Sequence, residues 1–212
     1  MEQKKFIQAN ISFGQWIYNM ITLNFLTLFY TFKGALIFGL FPAFASLMHI
    51  FYKWIVHKEY DLSISTEFKT FYHKNFWEAN KLGGLLTVIG IVLLLDLYIS
   101  IQFIQSIIIH SLLLILFILF LMVSFYLFPV FARYAYSQSR DYVKQAFFIS
   151  LSSFIQSAAI LVALIAMSYV FYSIPFLLLF FGIPIIFGGI GWFAYQGILR
   201  AEKMKMDQKI KP

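Results

Sequence analysis

The sequence predicts an all-α, polytopic transmembrane helical bundle, with about six spanning helices in three hairpins and one amphipathic cytoplasmic or interfacial helix. Of its 212 residues, 61% are hydrophobic and 12% are charged, whereas soluble domains average about 45–50% and about 25%. The charges are also clustered, so that three long apolar regions remain at 6–52, 82–132 and 145–199. Such continuous runs favour helices over a β-barrel, whose strands alternate apolar and polar residues.

Each apolar region is long enough for two spanning helices and a turn, because a helix needs about 20 residues to cross the hydrocarbon core. Lys33-Gly34 divides the first region, and polar residues between Ser100 and Ser106 divide the second. Ser173-Ile174-Pro175 divides the third, since proline disfavours helix in the residue before it. Residues 1–212 therefore form one membrane domain. The predicted spans are 14–32, 35–54, 82–102, 108–130, 149–171 and 175–196.

A five-helix arrangement is the alternative for the first region. In that arrangement a single helix near 20–41 replaces the first hairpin, and 43–56 lies on the membrane surface. The near-repeat of Leu40-Phe41-Pro42-Ala43-Phe44-Ala45 as Leu127-Phe128-Pro129-Val130-Phe131-Ala132 favours it, if both copies mark the same membrane edge. Against it, Lys33 would lie inside the bilayer, where a charge costs at least about 2.5–3.5 kcal/mol.

Lysine and arginine residues predict the orientation of the chain. They concentrate in 53–81, in 133–144 and in the basic tail 200–212, and are absent from the turns near 100–107 and 172–175. The positive-inside tendency places the three basic segments, and with them the C-terminus, in the cytoplasm. Anionic lipid headgroups are the expected partner of the basic tail. The net charge of +7 is thereby explained without a nucleic-acid partner.

The cytoplasmic segment 55–81 contains an apolar stripe with helical spacing. Phe68, Phe71, Tyr72 and Phe76, followed by Ala79, fall at i, i+3, i+4, i+8 and i+11, which is one face of a helix. Charged residues lie off this face, as in a helix that rests on the membrane surface. The helix is either a connector that positions the next span or a docking site for a partner protein.

Lys33 and Asp96 are the charges that interrupt the first two apolar regions. Ionisable residues within spans are the default candidates for a functional site. Counting along each helix from the basic segments places both residues towards the outer side of the membrane. We therefore expect a Lys33–Asp96 ion pair that ties the first hairpin to the second, either as a structural contact or as a proton or cation site.

Residues for enzyme chemistry are sparse. Cysteine is absent, and no nucleotide-binding, metalloprotease or serine-hydrolase motif occurs. The four histidines lack the i, i+3 or i+4 spacing that presents a metal pair on a helix. They are His49, His57, His73 and His110. We therefore expect no catalytic residue, no metal site and no cofactor, with an intramembrane enzyme as the alternative.

Several local motifs carry a family resemblance. They are Gly34, Gly39-Leu40-Phe41-Pro42-Ala43, Phe68, Phe71, Phe76-Trp77-Glu78-Ala79-Asn80-Lys81-Leu82-Gly83, Leu95-Asp96-Leu97, and Phe128-Pro129 with Arg133. Together they resemble the YesL-like family of bacterial membrane proteins, whose activity is uncharacterised. The resemblance implies a multi-pass protein of the bacterial plasma (inner) membrane.

Genes of the YesL-like family often accompany carbohydrate ABC transporters and glycan-utilisation systems. The function implied by the resemblance is therefore that of a non-enzymatic accessory or scaffold component beside an ABC permease. The alternative is a small-solute or ion transporter that acts alone. Against the transporter, the residues show few polar groups within the spans and no inverted repeat beyond the six-residue echo.

Overall fold

The computed structural model describes residues 2–210, with side chains at 14–206, and this part of the chain is all-α, as predicted. Its helices are α1 Glu2–Lys33, α2 Ile37–Tyr52, α3 Ile64–Lys74, α4 Phe76–Ile99, α5 Ile107–Arg133, α6 Ser139–Ser152, α7 Phe154–Ser173 and α8 Pro175–Ile210. Helices α2 and α4 each continue into a π-helical turn, at Lys53–His57 and Ser100–Ile104.

Five helical segments of the described chain are long and apolar enough to cross a membrane, judged by length and composition. They are Ile37–His57, Phe76–Ile104, Ile107–Arg133, Phe154–Ser173 and Pro175–Met206. Helix α1 covers the predicted span 14–32 but is not among the five, because polar residues such as Asn19 and Asn24 lower its hydropathy. The predicted span 149–171 begins too early, since α6 extends to Ser152 and α7 starts at Phe154.

The first apolar region forms a helical hairpin, so the single helix near 20–41 is wrong. The chain turns between α1 and α2, where Ala35 and Leu36 have φ angles of 58° and 62°. A helix cannot pass through residues with positive φ. Beyond the turn, α2 approaches α1 so closely that a Cβ at Gly39 would overlap the carbonyl oxygen of Thr31. Glycine therefore permits backbone-to-backbone packing of this hairpin.

Helix α2 lies at the centre of the bundle, against α1, α3, α4, α5 and α8. Its Leu47 and Ile50 are fully buried. The two Leu-Phe-Pro segments meet here, because the rings of Phe41 in α2 and Phe128 in α5 stack with centroids 6.3 Å apart. On the side of α8, the ring of Phe44 packs against Phe187 at 4.3 Å. The near-repeat is thus a contact in the core.

Helix α3 and the start of α4 pack on this hairpin. The Tyr72 hydroxyl donates a hydrogen bond to the Tyr30 carbonyl oxygen at 2.9 Å. Asn80 Nδ2 donates to the Phe38 carbonyl oxygen, also at 2.9 Å. The turn of the first hairpin therefore lies beside the segment 55–81, and not at the opposite membrane edge as the span counting predicted.

The apolar stripe predicted along segment 55–81 is divided between two helices. Helix α3 ends at Lys74 and α4 begins at Phe76, with Asn75 between them at φ −110° and ψ 13°. Phe68 and Tyr72 are buried, and Phe71 and Phe76 are half-buried. The stripe thus faces the protein itself, where Tyr30 lies within ring contact of both buried members.

Two hairpins, α4–α5 and α7–α8, expose long apolar surfaces. Ile107 and Ile108 of α5 are 80% and 78% exposed, and Tyr172 of α7 is 85% exposed. Water-soluble proteins rarely leave such continuous apolar surface uncovered. The apolar surface and the lengths of these helices both indicate a membrane environment.

Helix α1 is also joined to α8 by a buried amide. Asn24 is 1% exposed, and its Nδ2 donates to the Leu179 carbonyl oxygen at 2.9 Å. Its Oδ1 accepts a hydrogen bond from the Ile183 backbone N–H at 3.3 Å. Pro184 follows and has no N–H to continue the helical pattern. Asn24 therefore bonds backbone groups of α8 one turn before and directly before its proline.

Replacement of Gly83 tests the packing of α4 on α2. A Cβ at Gly83 would clash with the Phe41 ring, whereas a Cβ at the adjacent Gly84 meets nothing within 4 Å. We expect Gly83→Ala to lower the free energy of unfolding in detergent by about 1–3 kcal/mol through overpacking. Gly84→Ala is the matched control and should be neutral or stabilising by up to about 1 kcal/mol. Equal melting temperatures for the two variants would contradict this packing.

Replacement of Asn24 tests the link between α1 and α8. Asn24→Ala leaves the Leu179 carbonyl and the Ile183 N–H without their side-chain partner, and we expect a loss of about 1–3 kcal/mol in the same assay. Asn19 is the control, because within residues 14–206 its side chain bonds to Gln15 on the exposed surface of the same helix. Asn19→Ala should change stability by less than about 0.5 kcal/mol. A similar loss in both variants would argue against a specific role for Asn24.

Candidate functional site

The described residues line an open polar cavity of about 660 Å³ where α2, α3, α5 and α6 converge. We call it the polar cavity. Its lining carries charges of both signs together with tyrosine hydroxyls. The charged and titratable members are His49, Glu67, Lys74, Glu78, Arg133, Tyr134, Tyr136 and Tyr142. These residues belong to the basic segments and the helix ends next to them.

An ion pair between α5 and α8 supports one wall of the polar cavity. Arg133 donates from Nε to Glu202 Oε1 at 2.9 Å and from Nη2 to Glu202 Oε2 at 2.6 Å. The Tyr134 hydroxyl donates to Glu202 Oε1 as well. The guanidinium also lies 5.5 Å from the ring centroid of Tyr52. A bidentate pair fixes direction as well as distance, so the end of α5 is held rigidly on α8.

The tyrosines of the polar cavity are neutral donors. Burial raises the pKa of Tyr134 well above its ordinary value, and the hydrogen-bonded Glu202 carboxylate raises it further. Burial is also the first cause that raises the pKa of Tyr136 and of Tyr142. An ordinary tyrosine already titrates near pH 10. All three hydroxyls therefore keep their protons at physiological pH.

The opposite wall joins α2 to α3 through Glu67. Lys53 Nζ lies 3.1 Å from Glu67 Oε2 and 3.7 Å from Glu59 Oε2. His49 Nε2 lies 3.6 Å from the same Glu67 oxygen, and its ring stacks on Phe71 with centroids 4.2 Å apart. These contacts fix the position of α3 along α2.

The third wall connects the start of α4 with α6. Ser139 Oγ donates to Glu78 Oε1 at 2.5 Å, and Lys81 Nζ lies 3.4 Å from Glu78 Oε2. The Tyr136 backbone N–H donates to the Tyr142 hydroxyl at 3.0 Å. The Tyr136 ring packs against those of Tyr134 and Tyr142, with centroids 5.5 and 5.1 Å apart. The loop between α5 and α6 is therefore anchored over the cavity by its tyrosines.

The structure does not bring Lys33 and Asp96 together. Lys33 Nζ lies 5.6 Å from the ring centroid of Tyr30, and no ion pair joins the two residues within 14–206. The Asn80–Phe38 hydrogen bond holds the first turn near the start of α4. Asp96 lies 16 residues beyond Asn80 on the same helix, about 24 Å away at 1.5 Å per residue.

The residues that form the polar cavity were mostly missed by the sequence reasoning. There Arg133 was only the first residue of the basic segment 133–144, and Glu202 was counted within the basic tail 200–212. The two are 69 positions apart, so no periodicity connects them. The signal available in the sequence was Glu202, an acidic residue between Arg200 and Lys203. An acidic residue within a basic run suggests an ion pair inside the protein.

Loss of the carboxylate at Glu202 should destabilise this end of the bundle. We expect Glu202→Gln to lower the free energy of unfolding by about 1–3 kcal/mol, because Arg133 and Tyr134 lose a charged acceptor in a partly buried site. Glu59→Gln is the matched control, since the Glu59 side chain is 52% exposed and such pairs contribute about 0–1 kcal/mol. Thermal unfolding in detergent measures both. An equal change in the two variants would show that the Arg133 pair is no stronger than a surface pair.

Comparison with known proteins finds a family match over part of the chain. A family described as "Protein of unknown function, DUF624" matches residues 20–97, which run from α1 through most of α4. The matched range contains Gly34, Gly39 and Gly83, three of the positions that carried the sequence resemblance. No solved structure matches the chain.

Three curated relatives come from Bacillus subtilis (strain 168). "Uncharacterized protein YteU" is 26% identical over 211 residues, covering 98% of this chain and 91% of the relative. "Uncharacterized protein YesL" is 29% identical over 141 residues, covering 66% of each. "Uncharacterized protein YesV" is 26% identical over 184 residues, covering 85% of this chain and 86% of the relative. The chain is thus similar to these relatives over most of its length, and its residues 20–97 match the DUF624 family.

Proposed function

We propose that this protein is a non-enzymatic accessory or scaffold component of a membrane complex, and that the polar cavity docks a segment of its partner. The observation that carries the proposal is the cavity itself. It combines acidic Glu67 and Glu78, basic Lys74 and Arg133, and neutral tyrosine hydroxyls within about 660 Å³. Such a mixed lining suits a polar peptide segment, which offers amide groups and charges of both signs.

The walls of the polar cavity are held by contacts within the chain. Glu202 fixes Arg133, Lys53 fixes Glu67, and Ser139 fixes Glu78. When a site is ordered before binding, the free energy of association is not reduced by the entropic cost of ordering its side chains. This rigidity supports a docking role.

The internal contacts of the spans favour a scaffold over a solute pathway. Thr31 Oγ1 donates to the Thr27 carbonyl oxygen, Ser46 Oγ to Pro42, and Thr87 Oγ1 to Gly83. These hydroxyls satisfy carbonyls of their own helices. They are therefore already engaged and are poorly suited to line a route for a polar solute.

The proposed membrane is the bacterial plasma membrane, which the chain crosses several times with its C-terminus in the cytoplasm. Contacts between the start of α4, the end of α5, α6 and α8 gather the basic segments at one end. The positive-inside tendency supports the cytoplasm for that end. The YesL-like resemblance supports a carbohydrate ABC permease, or another component of a glycan-utilisation system, as the partner.

A small-solute or ion transporter acting alone is the second candidate. One observation favours it, namely the proline within α8, because transporters often interrupt helices at substrate sites. Here, however, Asn24 of the same chain bonds the backbone groups next to Pro184. Polar backbone groups beside the interruption are therefore already engaged by the chain itself.

Copurification from native membranes tests the docking role. Thr70 is exposed and lines the polar cavity without taking part in its ion pairs, so Thr70→Trp should fill the cavity and lower the yield of a stoichiometric permease by at least about tenfold. Ser65→Trp, on an exposed position of the same helix outside the lining, is the control and should copurify the partner as the wild type does.

Two results would overturn the accessory role. One is an unchanged partner yield with Thr70→Trp. The other is uptake of a labelled sugar or ion by proteoliposomes that contain this protein alone, which would establish the transporter.

A further inference from the structure

We propose that an apolar cavity between α1, α2 and α8 binds one anionic phospholipid, with an acyl chain inside the cavity and the phosphate held by Lys58. The cavity has a volume of about 490 Å³, within the usual size of ligand sites of about 300–1,000 Å³. We call it the aromatic cavity. This inference is independent of the docking role proposed for the polar cavity.

The lining of the aromatic cavity suits a hydrocarbon chain. Three of the four tryptophans of the protein line it, Trp16, Trp54 and Trp192. Helix α8 contributes Pro184 to Trp192, a length of about 12 Å along the helix axis. Within that stretch Gly188 has no side chain, and a Cβ there would already lie 3.1 Å from the Phe51 ring. The lining is therefore almost wholly apolar and extends along more than two turns of α8.

Lys58 is the charged residue among those that line the aromatic cavity. It is exposed and lies at the end of the π-helical turn, where its φ of 61° turns the chain away from α2. The neighbouring Lys53 is already paired with Glu59 and Glu67, whereas no carboxylate pairs with Lys58 in the part of the chain whose side chains are described. A single cation beside an apolar cavity matches a ligand with one negative charge and a long apolar body.

Trp54 supplies a second polar group. Its side chain is buried and lines the cavity, yet its indole N–H has no hydrogen-bond acceptor among the residues whose side chains are described, 14–206. Buried indole N–H groups usually find a partner. An ester or phosphate oxygen of a bound lipid supplies an acceptor for this N–H.

The position of the aromatic cavity identifies the source of the ligand. Two of its walls belong to Ile37–His57 and Pro175–Met206, both long and apolar enough to cross a membrane. Lys58 follows the first of these segments directly. The end of a span is where lipid headgroups and interfacial tryptophans meet, so the ligand is a lipid of the surrounding bilayer.

Quenching of tryptophan fluorescence by brominated lipids tests the site. Trp77 lies outside the aromatic cavity and is 71% exposed, so in a Trp77→Phe background every remaining tryptophan lines it. The full-length protein is reconstituted in phosphatidylcholine bilayers that contain a small fraction of brominated phosphatidylglycerol or brominated phosphatidylcholine. We expect brominated phosphatidylglycerol to quench the tryptophan fluorescence at a mole fraction several-fold lower than brominated phosphatidylcholine does.

Lys58→Gln should reduce this preference for the anionic lipid about fivefold. One basic residue near an anionic membrane surface contributes about that factor to binding. Lys69→Gln is the control, because Lys69 is exposed on α3 and does not line the cavity. Native mass spectrometry should also show one phosphatidylglycerol retained per wild-type chain and lost with Lys58→Gln. Circular dichroism verifies that each variant is folded.

Three results would overturn the proposal. Equal quenching by the two brominated lipids would show that the cavity does not select an anionic headgroup. An equal effect of Lys58→Gln and Lys69→Gln would show that the preference comes from general attraction between a basic protein surface and anionic lipids. Retention of a second copy of the chain or of another protein in place of the lipid would assign the cavity to a protein interface.

Discussion

The close approach of α1 and α2 at Gly39 is the contact on which the rest of the bundle depends. It brings the two backbones together without intervening side chains and thereby places α2 at the centre, where five other helices reach it. Both cavities are consequences of this placement. The polar cavity forms on the side of α2 that faces α3 and α5, and the aromatic cavity on the side that faces α1 and α8.

Hydropathy was sufficient for the helical class and for the position of most of the long apolar helices, because hydrocarbon requires each segment to satisfy its own backbone. The break at Lys33-Gly34 was also predictable, although the positive φ angles that enforce it fall on Ala35 and Leu36. Helix α1 is the informative exception. Its polar residues reduce its hydropathy, and several of them, such as Asn24 and Thr27, are buried and bonded.

The candidate sites were less predictable, for a geometric reason. Counting residues from a membrane edge assumes that each helix runs straight across, and this assumption placed Lys33 near Asp96. The turn instead lies beside α3 and the start of α4, as the bonds of Tyr72 and Asn80 show. The Arg133–Glu202 pair is a long-range contact that only the fold brings together.

The ring of Phe41 is shared by two neighbours. It stacks on Phe128 of α5 and occupies the space that a side chain at position 83 would need. A larger residue at any one of these places can be accommodated only if another becomes smaller. Substitutions at positions 41, 83 and 128 should therefore have non-additive effects on stability, because the three residues share one space.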